Sequence, residues 1–276
     1  MRRFLKYPVY VNHPGRYWDA RLRQIDEIVQ KDRRTATPRE RADDLHMFRW
    51  LQHTGKNLYE TIEDPNPPPH AVDYERAVIE ALNVIVTTPI GRLVLGAMDR
   101  NVRYSIHPRL KENGANCECG AFVFPGAPKE GGGIRIYYNP TEFNDASRRW
   151  IGRDDVLFHE LVHAYRMGRW GYEQINAAPN MTHWDDSEEF VATQMQNAYL
   201  SQRGGSRFYR SYPKLERADK GTAYKALLED QEALGQLNYF VNTDSVMGTV
   251  AGWLAPATSF NSFRDRTILG RMGGMP

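Results

Sequence analysis

The stretch Asp154-Asp155-Val156-Leu157-Phe158-His159-Glu160-Leu161-Val162-His163-Ala164-Tyr165-Arg166-Met167-Gly168 decides how this chain is read. It predicts an apolar helix, with Asp154 as its N-cap and Gly168 as its stop. Residues four apart on a helix lie one turn above each other, so His159 and His163 present two imidazoles to one point. A tetrahedral zinc ion requires that arrangement. Glu160 lies next to the same face. Its carboxylate is placed to take a proton from a zinc-activated water and return it to a leaving amine. Zinc brings the pKa of such a water down toward ~7. A histidine pair without a partner would be costly inside so apolar a helix.

Two nitrogen ligands call for a third, and position 169, where a further histidine could follow, is Arg. Downstream, Asp185-Asp186-Ser187-Glu188-Glu189-Phe190-Val191-Ala192-Thr193-Gln194-Met195-Gln196-Asn197-Ala198 reads as a helix with two carboxylates near its start. At 100° per residue, Glu189 shares a stripe with Ala192, Thr193 and Gln196, which are small or polar. Glu188 lies in line with Val191, Ala192, Met195 and Tyr199. Helical spacing by itself leaves both Glu189 and Glu188 open as the ligand. Thr193 lies one turn beyond Glu189. A donor for the transition-state oxyanion is also needed. His183 is the candidate, with Tyr172 and Tyr165 as competitors.

Outward from this core, residues 16 to 31 look helical, with Trp18, Leu22, Ile25 and Val29 at helical spacing. A second helix is expected from Thr37 and Pro38. The run Asp64-Pro65-Asn66-Pro67-Pro68-Pro69 is the best linker in the chain, because proline lacks the N–H and restricts its predecessor. A helix from Val72 to Ile85 precedes Thr88-Pro89-Ile90-Gly91-Arg92. Strands are expected at Val102 to Ile106, Ala121 to Phe124 and Ile134 to Tyr138, the last bracketed by Gly131-Gly132-Gly133 and Asn139-Pro140. From Asp154 onward the pattern is mostly helical. This divides into a helical accessory segment at 1–70, a catalytic domain at 71–212 holding every proposed ligand, and an extension at 213–276.

The 276 residues are 41% hydrophobic and 25% charged, which suits a globular chain. The net charge of +2 and the interrupted arginine clusters at Arg33-Arg34, Arg39-Arg41 and Arg148-Arg149 argue against a nucleic-acid partner. Cys117 and Cys119, one residue apart, offer neither a disulfide framework nor a paired metal site. His13, His46, His53, His70 and His107 lack ligand spacing. The basic start MRRFLKYPVYVNHPG has no apolar core of a signal peptide. No segment reaches the ~20 apolar residues that cross a bilayer. Val246 to Ala257 comes nearest and reads as a buried segment, so no stable membrane insertion is expected.

From about Ala81 to Tyr212 the chain resembles the NleD-like effector metallopeptidases of bacteria. The resemblance rests on Thr88-Pro89-Ile90-Gly91-Arg92, Gly133-Ile134-Arg135-Ile136-Tyr137-Tyr138-Asn139-Pro140 and His159-Glu160-Leu161-Val162-His163-Ala164-Tyr165-Arg166. It continues through Glu188-Glu189, Asn197-Ala198-Tyr199-Leu200, Arg207 and Tyr209. It implies an α+β, zincin-like metallopeptidase domain with a small β-sheet, an active-site helix and helical additions. One zinc ion would be held by His159, His163 and Glu189. The order Glu-Phe-x-Ala at 189–192 also looks like the ligand segment of the anthrax lethal factor type of protease. Gluzincins similar to this layout use a His or Tyr near the site, the role given to His183. One turn beyond the ligand Glu, where Thr193 stands, they place a residue that hydrogen-bonds a ligand histidine, and it is often an acid. In zincins an edge strand before the active-site helix pairs with substrate. Ile134 to Tyr138 has that place in the order, and an ordinary core strand is the equal alternative. The family further implies a toxin exported by a dedicated secretion system, a protein or peptide substrate in the target cell, and an immunity protein or secretion chaperone as partner.

Three rivals stay open at this level: a zinc hydrolase acting on a non-peptide amide, a binding protein that keeps zinc as a structural clip, and a membrane-active toxin working through 246–257. A purely structural site has no use for Glu160 beside an open coordination position.

Overall fold

The structure, a computed structural model, describes residues 2–4, 8–11, 69–108, 121–125, 133–138, 152–211, 216–253 and 260–273. The helices expected at 16–31 and from Thr37, the proline run before Pro69, and Cys117 and Cys119 lie outside the described residues, as do the side chains of His70, His107 and Tyr172. The fold is a mixture of helices with two small sheets. It divides into two compact units, 1–80 with 100–145, and 81–99 with 146–276.

The first unit holds a sheet of β1 (Arg2–Arg3), β2 (Val9–Val11), β3 (Arg103–Pro108), β4 (Ala121–Pro125) and β5 (Gly133–Tyr138), in the order β1-β2-β3-β5-β4. β5 runs parallel to β3, with Tyr104 opposite Ile134, and antiparallel to β4, with Val123 opposite Ile136. Of the two roles open to residues 134–138, the edge role does not hold: β5 is interior and paired on both sides, so it has no free ladder of N–H and C=O groups for another chain. Ile134, Ile136, Tyr137 and Tyr138 are all buried. Such a run, without strict alternation of exposure, suits a covered strand. A Cβ on Gly133 would stand 2.6 Å from the carbonyl oxygen of Arg103 on the parallel neighbour, so glycine permits the close start of that ladder.

Helix α1 (Pro69–Thr87) begins with a proline and ends just before Thr88. Thr88 caps α2 (Pro89–Ala97): its hydroxyl accepts from the N–H of Gly91, and Pro89 takes the first helical position, where a missing N–H costs nothing. Gly91 is obligatory here, since a Cβ would lie 2.0 Å from the carbonyl oxygen of Ile85. The second unit is helical: α3 (Arg153–Trp170), α4 (Tyr172–Asn176), α5 (Ser187–Gln202), α6 (Lys220–Leu228), α7 (Gln231–Thr243), α8 (Ser245–Ala251) and α9 (Ser262–Gly273), with the hairpin β6 (Arg207–Tyr209) and β7 (Arg217–Asp219) between α5 and α6. The residues from 216 onward therefore supply four helices to the unit that contains α3 and α5.

Two expected boundaries move. Asp154 does not cap α3. Gly152 takes that position without a side-chain bond, and Asp154 accepts instead from Tyr199 of α5 and from Arg203 just beyond its end. The helix runs past Gly168 to Trp170 and stops at Gly171, whose φ of +86° suits glycine and few other residues. α3 and α5 pack against each other in the core, with Phe158 stacked on Tyr199 at 4.4 Å. In α8, Val246, Met247 and Val250 are buried. No single helix among the described residues is long and apolar enough to cross a membrane.

Candidate metal centre

Asp186 begins the site. Its carboxylate accepts from the backbone N–H groups of Glu188 and Glu189, both at 2.8 Å, and so starts α5 at Ser187. Glu188 and Glu189 then occupy the first turn, where the helix dipole favours negative charge. Successive residues point about 100° apart. The two carboxylates consequently diverge.

Glu189 faces the histidines of α3. One of its oxygens lies 3.0 Å from His159 Nε2, the other 3.5 Å from His163 Nε2, and the two histidine Nε2 atoms are 3.0 Å apart. Four ligands at 2.0–2.1 Å around a tetrahedral ion stand roughly 3.3 Å from one another. The three separations bracket that value. His159, His163 and Glu189 thus form a group that could hold a metal ion, with one donor atom from each within 4.8 Å of the others. Both histidines are buried and Glu189 is half-buried.

The chemistry of the donors fits as well as their spacing. The Nε2 of His159 must carry a lone pair to bind a metal, so its proton must sit on Nδ1. Gln196 sets this. Its amide nitrogen donates to the backbone carbonyl and the carboxylate of Asp155, at 3.2 and 2.7 Å, neither of which can donate in return. Its amide oxygen is thereby turned toward His159 Nδ1, 3.2 Å away, and accepts that proton. Asp155 is held in turn by Tyr209 and Arg217. The partner expected at Thr193 is therefore Gln196 instead. Thr193 Oγ1 is buried with no hydrogen-bond partner among the described residues. Gln196 lies on the stripe drawn from Glu189, so its side of the helix was legible. Its pairing with Asp155 across two helices was not.

Electrostatics show how strongly the group is charge-coupled. Burial by itself would lower the pKa of His163, but the carboxylates of Glu189, Glu160 and Glu188 outweigh it and lift the imidazole to about 9. Burial would raise Glu189, but His163 and His159 hold it well below the usual carboxylate range. In metal-free protein the imidazolium thus supplies the positive charge that this anionic pocket demands. Glu160 is buried, directly follows His159 in α3, and adds its charge to the field at His163.

Glu188 takes no part in this group. Both of its oxygens are clamped by Arg166, Nε at 2.5 Å and Nη2 at 2.7 Å, while Arg166 Nη1 reaches Asp244 at 2.7 Å. Asp244 also accepts from the Tyr165 hydroxyl and caps α8. Tyr165 is therefore engaged away from the histidines. His183 is exposed in the segment ahead of α5 and is not a member of the metal-holding group.

No protein-family model matches the chain, and neither a curated protein nor a solved structure shows significant similarity to it.

Proposed function

We propose that this chain is a zinc-dependent endopeptidase, with His159, His163 and Glu189 as ligands and Glu160 as general base. The observation that carries the reading is the convergence of two buried imidazole Nε2 atoms and one half-buried carboxylate, with the buried carboxylate of Glu160 next to His159 in the chain. Nitrogen and oxygen donors in this number suit zinc and leave a coordination position open, as a catalytic site requires. A zinc ion there supplies Lewis acidity, polarising a carbonyl and making water a nucleophile near neutral pH.

The chain's own residues do the rest. His159 and His163 hold their positions through the helical repeat, and Gln196 keeps the His159 proton on Nδ1. Glu189 contributes negative charge and Asp186 anchors the turn that aims it. Glu160 accepts the proton of the attacking water and delivers it to the departing amine, so that proton neither accumulates nor is lost. His183 is the candidate donor to the oxyanion. A polypeptide substrate, export as a bacterial effector and an immunity or chaperone partner follow from the resemblance of residues 81–212 to effector metallopeptidases.

The test combines metal content with mapping of new protein N-termini in a mixed proteome. Glu160→Gln should retain one zinc ion per chain and lose cleavage, whereas His159→Ala should lose both. A Gln variant that comes out empty would make Glu160 a ligand or a folding residue. A zinc-loaded native chain that generates no Glu160-dependent N-termini would end the peptidase reading.

A further inference from the structure

A cavity of about 420 Å³ lies in the helical unit, walled in part by Arg166 and Glu188. These stand three residues from His163 and one from Glu189. At 1.5 Å per residue Arg166 stands roughly 5 Å along the axis of α3 from His163. The cavity's remaining walls combine the apolar Trp170, Ile175, Tyr239 and Phe240 with uncharged polar side chains such as Gln174 and Gln236.

The charges in its wall are already consumed. Arg166 gives a two-pronged bond to Glu188 and a third bond to Asp244, and Asp244 is further occupied by Tyr165 and by the N–H groups of Val246 and Met247. A charged guest would lose water and find no oppositely charged side chain free to pair with it. The guanidinium also lies 4.6 Å from the ring centres of both Trp170 and Phe240. The aromatic wall is thus fixed in place before anything binds. Tyr239 is 54% exposed, one of two large hydrophobic residues so exposed among the described residues. A guest that covers it recovers apolar area. The volume is at the low end for ligand pockets and suits one large side chain with its flanking backbone.

Resting on the metallopeptidase reading, we propose that this cavity receives an aromatic or large aliphatic side chain of the polypeptide substrate beside the bond to be cut. It excludes acidic and basic side chains. Arg166 acts here as a positioning residue for the wall and does not recognise substrate charge.

Hydroxamates that differ only in their tail separate the two levels of the argument. The zinc-loaded full chain is titrated with acetohydroxamate, 3-phenylpropionohydroxamate, 4-methylpentanohydroxamate and succinic monohydroxamate. The phenyl and methylpentyl compounds should bind at least ~10-fold more tightly than the other two, the gain expected from burying one such group. Ala178→Trp, which fills the cavity from its wall, should erase that preference while acetohydroxamate binds as before. Tyr239→Ala, at an exposed position, should reduce it. Equal affinity for phenyl and succinic tails, or a preference that survives both substitutions, overturns the proposal. Failure to take up zinc or to bind acetohydroxamate instead overturns the metal reading, and this proposal with it.

Discussion

Glu188→Ala and Glu189→Ala should produce opposite defects, although the residues are neighbours. Glu188 is 9% exposed at its side chain, Arg166 6% and Asp244 0%, and Glu188 satisfies two of the guanidinium's three described bonds. Removing one partner from a buried pair of this kind costs about 3–5 kcal/mol, because the remaining charge stays desolvated. For a chain of this size that amounts to a fall in Tm on the order of 10 °C. The proposed zinc ligands are untouched, so affinity should change little. Glu189→Ala removes a donor atom. Zinc affinity should then fall by more than the roughly 10–100-fold that the loss of an outer hydrogen-bond partner costs. The metal-free Tm should fall by less than in Glu188→Ala, since the Glu189 side chain is 24% exposed. Thermal melts in a chelator measure the first quantity, and competitive chelator titration measures the second. Equal zinc loss in both variants, or an unchanged Tm in Glu188→Ala, would refute the assignment of one carboxylate to the metal and the other to Arg166.

Gln196→Leu should weaken zinc binding by about 10–100-fold without emptying the site, because His159 loses the acceptor that fixes its tautomer; chelator titration reads this directly. Zinc at about 1,000 times its Kd should stabilise the native chain by about 4 kcal/mol, raising Tm, and the rise should vanish in Glu189→Ala. Gly91→Ala should destabilise by roughly 1–3 kcal/mol or more, as its Cβ would meet the Ile85 carbonyl at 2.0 Å, and urea unfolding would show it. A chain ending at Tyr212 lacks Asp244 and the four last helices, so it should not unfold cooperatively even with zinc present; circular dichroism melts test this.

Spacing along one helix was enough to place His159, Glu160 and His163, because the α-helical repeat alone brings residues four apart to one face. The strands around 103–108, 121–125 and 133–138 were legible for a similar reason, since proline, glycine and β-branched residues act locally. The choice between Glu188 and Glu189 was of another kind. Helical periodicity separates their directions by about 100° but cannot say which direction holds the histidines and which holds Arg166. Packing of α5 on α3 decides that. The same holds for Gln196, whose orientation depends on Asp155 of a different helix, and for β5, whose interior position depends on which strands come to lie beside it. Asp154 has the chemistry of a cap, yet Tyr199 and Arg203, 45 and 49 residues away in sequence, claim its carboxylate. Local geometry is written into neighbouring residues, whereas the partner of a buried polar group is chosen only when distant segments meet.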